Sequence, residues 1–391
     1  MAIINRIGEF HDEMTAWRRD LHAHPEIAFE ERRTAGVVAA RLESFGLDEV
    51  HTGIARTGVV GVLRAGSGGR AIGLRADMDA LPIHEASGRP YASTVPGKMH
   101  ACGHDGHTTM LLGAARYRAE TRNFDGTVYF IFQPAEENEG GGRVMVEEGL
   151  FERFPVEQVF GMHNWPRMPL GTFAMRPGPV MAAADRFAIT LTGSGGHGAM
   201  PHACRDPLVA GAQIVSALQT IVSRQVDPVE SAVVSVCQFH AGAIDNVIPQ
   251  TATLSGTARS FLPEVRDLLE RRIVEIGHGV AAALGIKAEA VFERGYPPTV
   301  NTEAPTELAA GAAVDVVGAE RVNREPPQVM GAEDFAFMLE KRPGAYVFIG
   351  NGGGPDAPMV HNPAYDFNDE ALPLGASYWS RLVERLLPAR A

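Results

Sequence analysis

The hydrophobic pattern of the first part of the chain indicates strands and helices packed in layers. From Val59 onward, short apolar runs rich in Val, Ile and Phe alternate with amphipathic stretches. Continuous apolar runs of this length are typical of strands buried on both faces of a largely parallel sheet. Strands are predicted at 71–74, 127–132 and 158–162, and a helix at 106–122. This part is therefore predicted to be an α/β domain whose sheet is flanked by helices.

The middle of the chain has a different order of elements. Strands are predicted at 187–192, 232–239, 251–260 and 286–292, with helices at 206–225 and 263–284. The resulting order, β-α-β-β-α-β, is the ferredoxin-like pattern. It closes into a unit of about 110 residues, which is within the usual size of a domain.

Two Pro/Gly-rich segments flank this middle unit and predict that it is an insertion. They are 176–180 (RPGPV) and 294–299 (RGYPPT). Beyond the second segment the pattern returns to helix, strand and helix, with a buried strand at 345–349. We therefore expect a discontinuous catalytic domain, formed by residues 1–181 and 296–391, around an inserted ferredoxin-like domain at 182–295.

Length and charge favour a small-molecule substrate. A chain of 391 residues is too long for one ordinary core and indicates at least two domains. The formal net charge of −12 argues against a nucleic acid as the main partner, because binding a phosphate backbone requires a cationic surface.

The sequence also predicts a cytoplasmic protein. No run approaches the roughly 18 consecutive apolar residues of a membrane helix, and residues 1–20 lack the apolar centre of a secretory signal. The three cysteines, Cys102, Cys204 and Cys237, are far apart and odd in number. Free thiols in a reducing compartment fit them better than a disulfide framework.

Polar clusters follow the predicted strands or precede the long helix. They are Asp77 with Asp79, the segment 102–107 (CGHDGH), Glu136 with Glu137, and His163. Ligands of open parallel sheets gather at the carboxyl ends of the strands. These segments are therefore expected to converge on one cleft.

The residue types in these clusters indicate a metal site. Cys102 and His104 are a loop pair whose side chains can turn to one side, and thiolate, imidazole and carboxylate together suit zinc or a neighbouring first-row ion. Adjacent carboxylates such as Glu136 and Glu137 share a dry site only when a cation neutralises them. One Glu is then a ligand and the other a general base. The alternative is a solvated acidic loop.

Six motifs, in order between residues 98 and 369, resemble those of the M20 metallopeptidase superfamily, and with LHAHPE (21–26) the resemblance spans nearly the whole chain. They are KMHACGHDGH (98–107), QPAEE (133–137), GMHN (161–164), GGHGAMPH (195–202), GAEDF (331–335) and HNPAYDFND (361–369). They are most similar to the amidohydrolase branch, which includes hippurate hydrolases, N-acyl-amino-acid amidohydrolases and the plant auxin-conjugate hydrolases.

The resemblance implies a dinuclear metal site. Its ligands would be Cys102, His104, Glu137, His163 and His361. They would bind two divalent ions, with zinc, manganese, cobalt and nickel as candidates and Cys102 as the bridging thiolate. Glu136 would be the general base, and Asp79 would orient a ligand. Other M20 branches have His at the position of Asp77, so the role of Asp77 stays open.

The resemblance also assigns roles to the inserted domain. His197 would reach the active site of a partner subunit and stabilise the oxyanion, which implies a homodimer or a dimer-based oligomer. Asn246 and Arg259 would help bind the substrate carboxylate. Without the resemblance, His197 is a turn residue in a glycine-rich loop and Arg259 a solvated charge.

The expected activity is hydrolysis of the amide bond of N-acyl amino acids to a carboxylic acid and a free amino acid. Two alternatives remain open at this point. One is a dipeptidase or aminoacylase-type peptidase of the same superfamily. The other is a non-catalytic metal-binding relative, which would have no use for Glu136 beside Glu137.

Overall fold

A computed structural model describes residues 1–137 and 139–389 of the chain. Its first helices are α1 (Asn5–Gly8), α2 (His11–Ala23), α3 (Arg32–Ser44), α4 (His104–Thr121), α5 (Gly141–Glu147) and α6 (Leu150–Arg153). The strands of this stretch are β1 (Glu49–Ile54), β2 (Gly58–Ala65), β3 (Ala71–Asp77), β4 (Gly126–Gln133), β5 (Gln158–Pro166), β6 (Phe173–Ala174) and β7 (Gly178–Met181).

The later elements follow in the same order. The middle stretch contains β8 (Ala183–Thr192), β9 (Gly196–His197), α7 (Pro207–Gln225), β10 (Ala232–Ala241), β11 (Val247–Ile248), β12 (Thr251–Ser260), α8 (Pro263–Ala283) and β13 (Lys287–Tyr296). The last stretch contains β14 (Thr299–Asn301), α9 (Glu303–Val317), β15 (Val322–Asn323), α10 (Ala336–Leu339), β16 (Gly344–Gly352) and α11 (Leu372–Leu386). Among the described residues, none of these helices has the length and apolar character needed to cross a membrane.

The chain divides into two compact units. The first consists of residues 1–178, 300–327 and the chain from Asp334 onward, and the second consists of 179–299 and 328–333. The short return segment belongs to the second unit because its backbone bonds to the strand that opens that unit. The Val329 amide donates to the Val180 carbonyl at 3.0 Å, and the Ala182 amide donates to the Val329 carbonyl at 3.0 Å. The sequence pattern gave no sign of this return.

An eight-stranded mixed sheet forms the centre of the first unit, in the order β1-β2-β4-β3-β5-β16-β6-β15. The central strands β4, β3, β5 and β16 are parallel. They include the runs predicted as strands buried on both faces. The edge strand β1 pairs antiparallel with β2, to which it is joined by a short hairpin connection, and β2 is antiparallel to β4. The helix α4 is buried along most of its length and packs against α2 and α11.

The second unit confirms the predicted ferredoxin-like pattern. Its sheet has the order β10-β12-β8-β13, and each neighbouring pair is antiparallel. Along β8, buried residues alternate with more exposed ones, so one face of the sheet packs against α7 and α8 and the other does not. A small two-stranded sheet, formed by β9 and β11, lies in the same unit.

Candidate metal centre

Neighbouring parallel strands bring carboxylates and imidazoles to one edge of the large sheet. β3 ends at Asp77, and β4 ends three residues before Glu136. His163 lies in the second half of β5, and its backbone pairs with Phe348 of β16. Because parallel strands end at the same edge, side chains that are far apart in sequence become neighbours.

Cys102 and His104 reach this edge from the loop that starts α4. Between them Gly103 has φ +95°, and a Cβ at this position would lie 2.3 Å from Asn164 Nδ2 and 2.6 Å from the Tyr365 hydroxyl. Only glycine fits this close approach. Asn164 Nδ2 also donates to the Cys102 carbonyl at 2.7 Å, which fixes the loop beside β5.

The five predicted ligands form two groups that share Cys102. In the first group, one donor atom each from Cys102, His104 and His163 lies within 4.8 Å of the others, and Cys102 Sγ is 3.2 Å from His163 Nε2. In the second group, donor atoms of Cys102, Glu137 and His361 meet the same limit. His361 Nε2 is 3.1 Å from Glu137 Oε1. A thiolate common to two donor groups is placed as a bridging ligand would be.

His104 provides a direct test of whether these residues suit a metal ion. Its Nδ1 is 3.3 Å from Asp79 Oδ1, whereas its buried Nε2 has no hydrogen-bond partner among the described residues. Asp77 Oδ2 lies 3.8 Å from Nε2, which is too long for a hydrogen bond. A metal-binding His typically bonds a carboxylate through one nitrogen and the ion through the other, so His104 fits a ligand.

The electrostatics of the cluster also favour a cation. Burial opposes the charged form of His104, yet Asp77 and the hydrogen bond to Asp79 raise its pKa to about 10. Burial, followed by the carboxylates of Glu137 and Glu136, raises the pKa of the Cys102 thiol well above its ordinary value. Both groups therefore lie next to several carboxylates. A divalent ion would balance this charge and hold the sulfur as thiolate.

Asp77, whose role the sequence left open, orients a different histidine. Its Oδ1 is 2.6 Å from His107 Nδ1, and Arg75 donates to its Oδ2 at 2.7 Å. The other ring nitrogen of His107 accepts the Asn164 amide at 2.9 Å. His107 of α4 therefore links Asp77 of β3 to Asn164 of β5 next to the donor groups.

Glu136 lies beside the two groups that share Cys102 and belongs to neither of them. It is 7% exposed, and one of its carboxylate oxygens lies within 4.8 Å of donor atoms of His104 and Glu137. Asp79 accepts the backbone amides of Glu136 at 3.0 Å and Glu137 at 2.9 Å, so one carboxylate orders both glutamates and His104. A buried carboxylate next to a donor cluster is suited to proton transfer.

The residues predicted in the inserted domain lie in the second unit. His197 is exposed on β9, and its backbone neighbour Gly198 donates to the Asn246 carbonyl at 2.8 Å. Arg259 is half-buried near the end of β12. β12 begins close to the β9–β11 sheet, and Arg259 lies near the opposite end of β12. Within the unit the structure brings His197 and Asn246 together and leaves Arg259 apart from them.

Several residues that support the site had no role in the sequence interpretation. Asn164 bonds Cys102, His107 and Tyr365, and the Tyr365 hydroxyl donates to Asn164 Oδ1 at 2.6 Å. Both residues lie inside the motifs GMHN and HNPAYDFND. Their position next to predicted ligands in the sequence could have indicated a supporting role. Only the tertiary structure shows which atoms they hydrogen-bond.

The fold and the grouped donors define a two-unit α/β protein with a candidate metal centre at the carboxyl ends of its parallel strands. The profile of peptidase family M20/M25/M40 matches residues 73–385, and the chain belongs to this family.

Relatives of the chain include amidohydrolases. The chain is 42% identical to the hippurate hydrolase of Campylobacter jejuni over 387 residues, which cover 99% of this chain and 100% of the relative. It is 40% identical to an N-acetylcysteine deacetylase of Bacillus subtilis, covering 96% and 97% of the two chains. Among solved structures, the YXEP protein of Bacillus subtilis, a dinuclear metal binding peptidase of the M20 family, is 36% identical, with a TM-score of 0.85 and coverage of 98% and 100%.

Proposed function

We propose that the protein is a metal-dependent amidohydrolase that cleaves the amide bond of N-acyl amino acids and releases a carboxylic acid and a free amino acid. The observation that carries the proposal is Glu136, a buried carboxylate beside two donor groups that share Cys102. The relatives named hippurate hydrolase and N-acetylcysteine deacetylase support the same substrate class.

Cys102, His104 and His163 would hold one divalent ion, and Cys102, Glu137 and His361 the other. Zinc, manganese, cobalt and nickel all accept these donors. When bound, such ions lower the pKa of a water molecule and polarise the acyl carbonyl.

The protein's own contribution is proton transfer and orientation. Glu136 takes the proton of the attacking water and returns it to the nitrogen of the leaving amine. Asp79 keeps Glu136 and Glu137 in place through their backbone amides. Asn246 and Arg259 bind the carboxylate of the amino-acid part; since they lie apart within one chain, each would come from a different subunit of a dimer. His197 stabilises the oxyanion with a hydrogen bond, a contribution typically worth ~10²-fold or more in rate.

A hydrolysis screen tests the substrate class. Metal-loaded protein is incubated with N-benzoyl, N-acetyl and indole-acetyl amino acids and, in parallel, with free dipeptides, and the released amino acid is quantified. We expect hydrolysis of the N-acyl compounds and little release from dipeptides. Hydrolysis of dipeptides alone would assign the protein to a dipeptidase branch of the family instead.

We further propose that the enzyme is a cytoplasmic homodimer formed through the second unit. β10 is an edge strand of the four-stranded sheet, and Phe239 on this strand is 37% exposed. An exposed edge can pair with the same edge of a second copy across a two-fold axis. In such a dimer the exposed His197 can act in the active site of the partner.

Subunit complementation tests this arrangement. A Glu136→Gln chain and a His197→Ala chain, each nearly inactive alone, are mixed under conditions that allow subunits to exchange. We expect part of the activity to return, because one site of the mixed dimer has an intact Glu136 and receives the intact His197 of the other chain. If His197 acts within its own chain, every site stays defective and no activity returns. Mixing each variant with itself is the control.

A further inference from the structure

The motif GAEDF (331–335) contains a residue that contacts the proposed general base. The backbone amide of Asp334 donates to Glu136 Oε1 at 3.3 Å. Asp334 is fully buried, and it follows directly on the segment that belongs to the second unit. Neither the metal groups that share Cys102 nor the proposed substrate contacts use this residue.

The side chain of Asp334 is fixed by several donors. Gln133 Nε2 donates to both carboxylate oxygens, at 2.7 Å and 2.9 Å. Arg75 Nη2 donates to Oδ1 at 3.0 Å, and the Gly142 amide donates to Oδ2 at 2.7 Å. Gln133 and Arg75 are themselves fully buried and bonded to each other at 2.8 Å. Asp334 therefore has very little freedom to move.

The two ends of Glu136 are held by different carboxylate residues. Its backbone amide donates to Asp79, and its side-chain oxygen accepts the amide of Asp334. A glutamate side chain has three rotatable bonds, so a fixed backbone alone does not fix the carboxylate. The bond from the Asp334 amide restrains the carboxylate directly. Misplacement of a catalytic group by about 1 Å can lower a rate by ~10²-fold.

We propose that Asp334 is a positioning residue for the general base: its backbone amide orients the Glu136 carboxylate, and its side chain, fixed by Gln133 and Arg75, orients that amide. The proposal rests on the proposed function, in which Glu136 transfers the proton. The competing explanation is that Asp334 only stabilises the fold as the partner of the buried Arg75. The two explanations differ in whether the effect of Asp334 depends on the presence of Glu136.

A double-mutant cycle separates them. Asp334→Asn has the same size, but its amide nitrogen faces the Gln133 donor, which shifts the residue. In the wild-type background we expect kcat to fall by ~10-fold or more, with KM and metal content nearly unchanged. In a Glu136→Gln background the same substitution should lower the residual kcat by less than ~2-fold, since the group it positions no longer transfers a proton. An equal factor in both backgrounds would overturn the proposal.

A matched control removes a buried ion pair elsewhere. Asp185 is buried in the second unit and accepts from Arg266 Nε at 2.9 Å, so Asp185→Asn should destabilise the protein without lowering kcat. A comparable fall of kcat in this control would show that lost stability explains the Asp334 result, and would also overturn the proposal. If Asp334→Asn does not fold, Gln133→Met, which removes both hydrogen bonds from Gln133 to the Asp334 carboxylate, takes its place in the cycle with the same expected non-additivity.

The cycle also distinguishes failure of the inference from failure of the proposed function. If Glu136→Gln alone keeps full turnover, the assignment of the base is wrong and the role of Asp334 falls with it. If Glu136→Gln is nearly inactive but the Asp334 effect is additive, only the inference about Asp334 is wrong. Metal content, measured on every variant, shows whether a loss of activity comes from a loss of ions.

Discussion

Replacing Glu136 by Gln is expected to lower turnover by at least ~10²-fold while the metal content of the protein stays unchanged. Gln has nearly the same shape and still accepts the Asp334 amide, but its side chain cannot take a proton. Since Glu136 belongs to neither donor group that shares Cys102, its loss should leave both groups complete. The measurement is steady-state hydrolysis of an N-acyl amino acid together with elemental analysis of the purified variant.

The neighbouring residue provides the matched control. Glu137 forms a donor group with Cys102 and His361, so Glu137→Gln should release metal as well as activity. Both substitutions remove one negative charge at adjacent positions, which makes their contrast independent of net charge. If Glu137→Gln kept its ions while Glu136→Gln lost them, the assignment of the pair would be reversed.

The largest effect on stability is expected at Arg18, a fully buried guanidinium in α2. It lies 3.4 Å from Asp105, 3.3 Å from Asp366 and 2.7 Å from Asp369. Burial opposes its charge, yet Asp105 and the other two carboxylates raise the pKa of Arg18 above its ordinary value. Arg18→Met leaves these carboxylates without their shared cation and should lower the free energy of unfolding by about 3 kcal/mol or more.

Urea unfolding, monitored by tryptophan fluorescence, measures this effect in the unit that contains Arg18. Trp17, Trp165 and Trp379 all belong to the first unit, which also contains Arg18. The control is Arg385→Ala, which removes an ion pair to Asp315 whose side chains are 39% and 37% exposed. That exposed pair should contribute at most ~1 kcal/mol. Equal effects of the two substitutions would mean that the buried network around Arg18 is not a main source of stability.

The sequence was sufficient to predict the central strands and the convergence of several polar clusters on one edge of the sheet, because both depend on local signals. The full set of five proposed ligands came from the family resemblance. Apolar runs without alternation marked β3, β4 and β5, and their buried strands form the parallel centre of the sheet. Polar residues directly after these runs then had to meet at one edge. The pair Cys102 and His104 has the same local character, since two ligand types stand two residues apart.

Contacts between segments that are far apart in sequence could not be predicted from these local signals. Arg18 bonds residues that are 87 and 351 positions away in sequence, and Asp334 contacts a glutamate 198 positions away. No periodicity or composition indicates these partners. In the sequence alone, Arg18 is indistinguishable from a solvated surface charge. The return of 328–333 to the second unit also has no signal in the local sequence.

A metal titration tests the dependence of hydrolysis on the proposed dinuclear site most directly. The protein is stripped of metal with a chelator, and zinc or manganese is added back while hydrolysis of N-benzoylglycine is followed. We expect an inactive metal-free protein and activity that rises with added ion and saturates near two ions per chain, since the five donors form two groups that share Cys102. Full hydrolysis by protein that elemental analysis shows to be free of metal would contradict this expectation.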